Sequence, residues 1–248
     1  MATTLRILSG LLTVIATAIV TFPAHSYDVA AVSGGGTIEG TVRYRGDVPT
    51  KRIIPTKNVE TCGGPRDEPL IRVSADQAVE SAVVYLGDVA KGKPWPEQGK
   101  TPELNNHKCR FEPEVQVIRS GQLVVVNSDP VLHNTHGHYG KRSAFNLALP
   151  NEGQRIPVDL KRPGTVFIDC DAHGWMAGWV YVLDNPYYAI TGTDGKFTIT
   201  DVPPGNYKLV AVQLPALKVA PFTAPVELPV TVTGGQSTKL EIELKKQE

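Results

Sequence analysis

The run Thr165-Val166-Phe167-Ile168-Asp169-Cys170-Asp171-Ala172-His173-Gly174-Trp175-Met176-Ala177-Gly178-Trp179-Val180-Tyr181-Val182-Leu183 reads as a strand, a short loop and a return strand. Gly174 and Gly178 interrupt any helical run, so the middle of this stretch fits a loop better than a helix. Cys170 closes the first strand, and His173 and Met176 fall on the loop. Met176 is the only methionine besides Met1. Upstream, Leu132-His133-Asn134-Thr135-His136 follows a strand expected over residues 122–127, which places His133 on a separate loop. One distant imidazole and three clustered donors form a set that only the folded chain assembles.

A thiolate, two imidazoles and a thioether suit copper. Cu(I) favours soft sulfur, whereas Cu(II) is satisfied by imidazole nitrogen and tolerates thiolate, so a trigonal His2Cys set with a long, weak methionine bond serves both oxidation states. Ligands that stay in place through oxidation and reduction imply single-electron carriage. Each donor also has a plainer reading. Cys170 alone reads as a small buried hydrophobe or half of a disulfide. His133 or His173 alone reads as a loop or core histidine, and Met176 alone as core filler. Zinc is the inorganic rival, since His133, His136, His138, His173 and Cys170 offer a tetrahedral nitrogen and sulfur set. Met176 at the weak-ligand place favours copper.

At these residues the chain resembles the cupredoxins, the blue-copper β-sandwich family, and His-Asn-x-His followed by Cys-x2-His-x2-Met is similar to the amicyanin spacing. The resemblance covers roughly residues 101–185. It implies one copper ion, cycling between Cu(I) and Cu(II), on His133, Cys170, His173 and Met176. It further implies that Asn134 holds the first ligand loop against the cysteine loop, and that His136 lies beside the metal without binding it. Gly174-Trp175 stands where other members carry different residues, and the chain is much longer than one cupredoxin.

Residues 1–26 carry Arg6, an apolar run over 7–20, Pro23 and the small-residue pattern Ala24-His25-Ser26, the signature of a secretory signal peptide cut after Ser26. The run is short for a membrane span, and the mature chain is expected to have none. Removal takes Arg6 and no acid, leaving 24 basic against 25 acidic side chains and a formal charge of −1. Nothing in that balance points to nucleic acid. Periplasmic or secreted placement permits disulfides and leaves one of three cysteines over. Cys62 and Cys109 are the natural pair, which frees Cys170 for metal; a bridge from Cys170 to either would abolish that site.

The rest of the mature chain shows no sustained helical period. Short alternating runs rich in Val, Ile, Thr and Tyr recur between Gly, Pro and Asp turns, at residues 37–44, 82–86, 123–126 and 240–244 among others. The fold class read from this is all-β: a cupredoxin-like Greek-key β-sandwich over 101–185 combined with a second small β-sandwich. The Asp194-Gly195 hairpin signal and the Pro203-Pro204-Gly205 turn, with Phe197, Ile199, Tyr207 and Leu209 alternating, resemble the carboxypeptidase regulatory-like sandwich. Residues 186–248 would build it with strands shared from 36–100, and residues 91–102 look like a surface connection. The second sandwich reads as a spacer more readily than as a sugar- or protein-binding module.

The function expected from these residues is an exported mononuclear type 1 copper protein carrying single electrons between redox partners, one of them an unidentified redox protein. A copper delivery or homeostasis protein, and a metal-free adhesion or carbohydrate-binding sandwich, are the alternatives. No enzymatic activity is expected, because in the mature chain only His107 lies outside the segments already used and a second catalytic copper centre needs its own histidines.

Overall fold

The computed structural model describes residues 27–97 and 99–247; the expected signal peptide over 1–26 lies outside the described residues. The strands in chain order are β1 (Asp28–Val29), β2 (Gly36–Tyr44), β3 (Thr50–Ile53), β4 (Arg66–Pro69), β5 (Val83–Gly87), β6 (Lys91–Gly92), β7 (Glu103–His107), β8 (Arg110–Glu112), β9 (Val115–Arg119) and β10 (Gly121–Asn127). They continue with β11 (His133–Tyr139), β12 (Arg142–Leu149), β13 (Arg155–Leu160), β14 (Gly164–Asp169), β15 (Ala177–Leu183), β16 (Tyr188–Ile190), β17 (Lys196–Val202), β18 (Gly205–Val212), β19 (Val226–Val232) and β20 (Ser237–Leu244). The one helix among the described residues, α1 (Val59–Cys62), is a single turn. None of the described helical structure is long and apolar enough to cross a membrane.

Two sandwiches result. In the first, a sheet ordered β13-β10-β7-β8 packs on a sheet ordered β12-β11-β14-β15-β9, with Leu104, Phe111, Leu123, Leu160, Ile168 and Val180 between them. In the second, β16-β5-β18-β19 packs on β17-β2-β20 over Ile38, Leu86, Phe197, Leu209 and Ile242. The chain is thus all-β, one sandwich joined to a second, as the alternating pattern predicts. The period of two also explains the junction. Along β15, Val180 and Val182 enter the first core while Trp179, Tyr181 and Leu183 turn outward, where Tyr181 meets Val83 and Val212 of the second sandwich. A strand apolar on both faces is a strand covered on both faces.

Two features were not expected. Residues 133–139 form a strand, β11, paired with β12 and β14, where the sequence suggested a loop. Its burial alternates, with His133, Thr135 and Gly137 inward and Asn134, His136 and His138 outward. The period is present, but His, Asn and Gly are poor markers of a strand. Gly137 is needed there, since a Cβ would stand 2.4 Å from the Phe145 ring. The second feature is an arm, the β3–β4 hairpin with α1 at its tip. It reaches the first sandwich through a Cys62–Cys109 disulfide and through Glu68, which accepts from both Arg66 and Arg110.

Candidate metal centre

The site is built at one end of the first sandwich, where three loops meet. The loop after β10 is fixed by buried Asn127, whose amide reaches the carbonyls of Val131 and Leu149 at 3.0 Å while its oxygen accepts the Asp129 N–H at 3.0 Å. His133 then opens β11 on its inward face. The second loop leaves β14 at Asp169 and re-enters β15 at Ala177, two residues that pair directly, so the segment between them is closed at its base. Within it, the Met176 N–H donates to the His173 carbonyl at 3.0 Å. The third element is the β7–β8 hairpin, whose turn residues Lys108 and Cys109 both have φ near +50° (50° and 54°). Neither residue favours that conformation; the Asp129 carboxylate holds it by accepting both their N–H groups, at 2.7 and 2.9 Å.

His133, Cys170 and His173 converge, each with 0 % of its surface exposed. The two Nδ1 atoms are 3.2 Å apart, and Cys170 Sγ lies 3.9 Å from His133 Nδ1 and 3.7 Å from His173 Nδ1. Each imidazole is oriented through its other nitrogen. His133 Nε2 is 2.8 Å from Asp129 Oδ2, and His173 Nε2 is 3.1 Å from Asn58 Oδ1, from the arm. Both partners are acceptors, so each ring carries its proton on Nε2 and leaves the Nδ1 lone pair free.

Electrostatics reinforce that state. Burial pushes the His133 pKa down against the opposing pull of Asp129. His173 is pushed down to about 4 by burial, with His133 and Lys57 adding to the effect and Asp129 opposing it. Both rings are therefore neutral at neutral pH. Burial pushes the Cys170 thiol up, and Asp171 adds to this; N–H groups of Asn134, His173 and Ala172 pull the other way. Two bare nitrogen lone pairs face each other beside a thiol whose single proton can serve only one of them, so one buried acceptor is left without a donor, a cost that a shared cation relieves.

The spacing fits one ion. With metal–nitrogen bonds of about 2.05 Å and a metal–sulfur bond of about 2.3 Å, a tetrahedral ion would set each nitrogen–sulfur pair about 3.6 Å apart, and a trigonal one about 3.8 Å. The observed 3.7 and 3.9 Å suit either arrangement, and the 3.2 Å between the two nitrogens is nearer the roughly 3.3 Å of a tetrahedral ion than the roughly 3.6 Å of a trigonal one.

Met176 is 2 % exposed and shares the apolar cluster of Cys170. Asn134 joins the two ligand segments twice, its N–H donating to Cys170 Sγ at 3.4 Å and its side-chain oxygen accepting the Asp171 N–H at 3.5 Å. His136 turns to the other face of β11, against Ser143, Asn146 and Asp171. Cys170 is the one unpaired cysteine, and the disulfide lies against the site, with Cys109 Sγ within 4.8 Å of a His133 nitrogen. Trp175 lies tilted against His173, with ring centroids 5.2 Å apart and an interplanar angle of 56°, and donates from Nε1 to the Cys109 carbonyl at 3.2 Å.

Asp129 and Asn58 join the site without having been expected from the sequence. Asp129 had a weak local signal, standing in Ser128-Asp129-Pro130 four residues before His133. Asn58 had none, being 115 residues from its partner.

No family model matches this chain, and no curated protein matches it. Partial similarity to solved structures exists. A copper-containing nitrite reductase from Thermus scotoductus SA-01 is 19% identical over 35% of this chain and 23% of its own, with a TM-score of 0.31. A purple cupredoxin from Nitrosopumilus maritimus is 23% identical over 33% of this chain and 99% of its own (TM-score 0.30), and amicyanin from Paracoccus versutus is 18% identical over 35% and 85% (TM-score 0.32). These likenesses span about a third of the chain, and the chain spans less than a quarter of the nitrite reductase.

Proposed function

We propose that the protein is an exported, periplasmic or secreted, mononuclear copper protein that carries single electrons between redox partners and performs no chemical conversion of its own. The observation that carries this reading is the buried triangle of His133 Nδ1, His173 Nδ1 and Cys170 Sγ, with both outer nitrogens committed to acceptors. Copper held there supplies a one-electron couple at a thiolate-ligated centre. The chain's own task is to keep the donors fixed. Asp129 locks the His133 ring and is itself tied to the β7–β8 turn; Asn58 locks His173 from the arm; Asn134 donates to the cysteine sulfur. Met176 offers a fourth, weaker donor. Ligands restrained from outside in this way rearrange little when the charge at the centre changes.

Complete burial of the three donors speaks against a delivery protein, which must exchange its cargo. Leu132, beside His133, and Val59, beside Asn58, are 50 % and 48 % exposed and give a redox partner an apolar approach to the buried rings. The second sandwich, which in our reading is carboxypeptidase regulatory-like, serves as a brace. Its residues 215–217 touch the metal loop and the strand that follows, where the Pro215 carbonyl accepts from Trp179 Nε1 at 2.8 Å and Leu217 bridges to Met176. One equivalent of Cu(II) added to the mature protein should give an intense visible thiolate band, absent in Cys170→Ser. A colourless complex, or a band that survives in the variant, would reject the reading.

A further inference from the structure

On the outer face of the sheet whose inner face holds the triad, His136, His138 and Asp169 form a second donor set, in which His136 also meets Ser143 through Nε2 and Asn146 and Asp171 through Nδ1, contacts a metal would have to displace. His136 and His138 are two residues apart on β11 and so share a face, and His136 pairs directly with Asp169 on β14. Their imidazole centroids are 3.9 Å apart, and His138 Nε2 is 3.1 Å from Asp169 Oδ1. One donor atom from each of the three lies within 4.8 Å of the others. The His136 and His138 side chains are 19 % and 22 % exposed, so water and ions reach them, whereas the carboxylate is nearly buried at 5 %.

We infer that His136, His138 and Asp169 form a second, solvent-reachable site for a divalent transition-metal ion. Two imidazoles and one carboxylate select borderline ions such as Zn(II) or Cu(II) over Mg(II) or Ca(II), and three protein donors leave further positions for water. The site is independent of the copper reading, because it uses none of the triad's side chains. Opposite pointing of successive residues separates the two: Cys170 turns inward and Asp169 outward, as do His133 and His136. A resident cation already marks the place. Lys218, from the second sandwich, sets its ammonium 2.5 Å from Asp169 Oδ2 and neutralises a carboxylate that is otherwise buried. That ammonium competes with the metal, so affinity should be set as much by Lys218 as by the ligands.

The test is a calorimetric Zn(II) titration of protein already carrying one equivalent of Cu(II), comparing the unmodified chain with His138→Ala and Lys218→Met. The inference expects one equivalent of Zn(II) that His138→Ala weakens at least about tenfold, while Lys218→Met strengthens it several-fold. The opposite signs of the two variants guard against loss of folding as the explanation. Zn(II) affinity equal in all three proteins, or no Zn(II) uptake by the unmodified chain and Lys218→Met alike, overturns the inference. The thiolate band of the loaded copper, read in the same samples, reports on the first site separately.

Discussion

Asp129→Asn is the substitution whose consequences follow most fully from the geometry. The carboxylate is 2 % exposed and accepts from Lys108 N–H, Cys109 N–H and His133 Nε2. An amide of the same shape keeps one acceptor oxygen and puts an NH2 group where the second stood. At least one of the three donors then faces another donor in a buried place, which costs about 1–3 kcal/mol of folding stability. The charge is lost as well. With a metal–nitrogen bond of about 2.05 Å on the far side of the imidazole, an ion would sit about 6.5 Å from the carboxylate, and at an effective dielectric of about 20 two unit charges at that distance interact by about 2.5 kcal/mol. A one-electron couple converts this at about 59 mV per tenfold to a reduction potential raised by about 110 mV, because the anion favours the more highly charged Cu(II). A redox titration followed through the visible band measures the shift, and urea unfolding of the metal-free protein measures the stability. A potential that is unchanged or lower, with unchanged unfolding, would refute the placement of Asp129 as the charged partner of a ligand.

Met176→Leu should stay coloured and shift the potential upward, since a weak donor that favours Cu(II) is removed; an unchanged potential in the same titration would count against a bond from Met176. Replacing both Cys62 and Cys109 with Ala opens a connection of 47 residues, which on chain-entropy grounds costs at most about 4 kcal/mol in thermal or urea unfolding, and it frees the arm that carries Asn58 to His173. Copper should then dissociate faster, as stopped-flow chelation would show. Glu68 gives a pH dependence. Burial alone would raise its pKa, but Arg110 and Arg66 overcome this and hold it below the ordinary carboxylate range. Its stabilising contribution is complete above the unfolded carboxyl pKa of about 4.3 and is lost as pH falls through the lower folded value. Between the two the slope reaches at most about 1.4 kcal/mol per pH unit, and Glu68→Gln should remove it from the acid limb of urea unfolding curves.

What the sequence made legible follows the range over which each interaction acts. The strands on either side of Cys170 were readable because Val166, Ile168, Val180 and Val182 repeat every second residue and fill one core. The loop between them was readable from its glycines. β11 was not, although its period is intact, because histidines, asparagine and glycine occupy positions where apolar residues usually reveal a strand. The restraints on the two imidazoles were the least visible. Asn58 meets His173 because a disulfide and the Glu68–Arg110 ion pair hold an arm across from the other sandwich, and no local pattern encodes a contact made through two such intermediaries.

X-ray absorption at the copper edge of mature protein holding one equivalent of Cu(II) tests the assignment of His133, Cys170 and His173 as ligands most directly. The spectrum should show one short sulfur and two imidazole nitrogens, from Cys170, His133 and His173, with at most one further, longer sulfur from Met176. A shell of nitrogen and oxygen alone, or two short sulfurs drawn from the Cys62–Cys109 pair, would contradict that assignment.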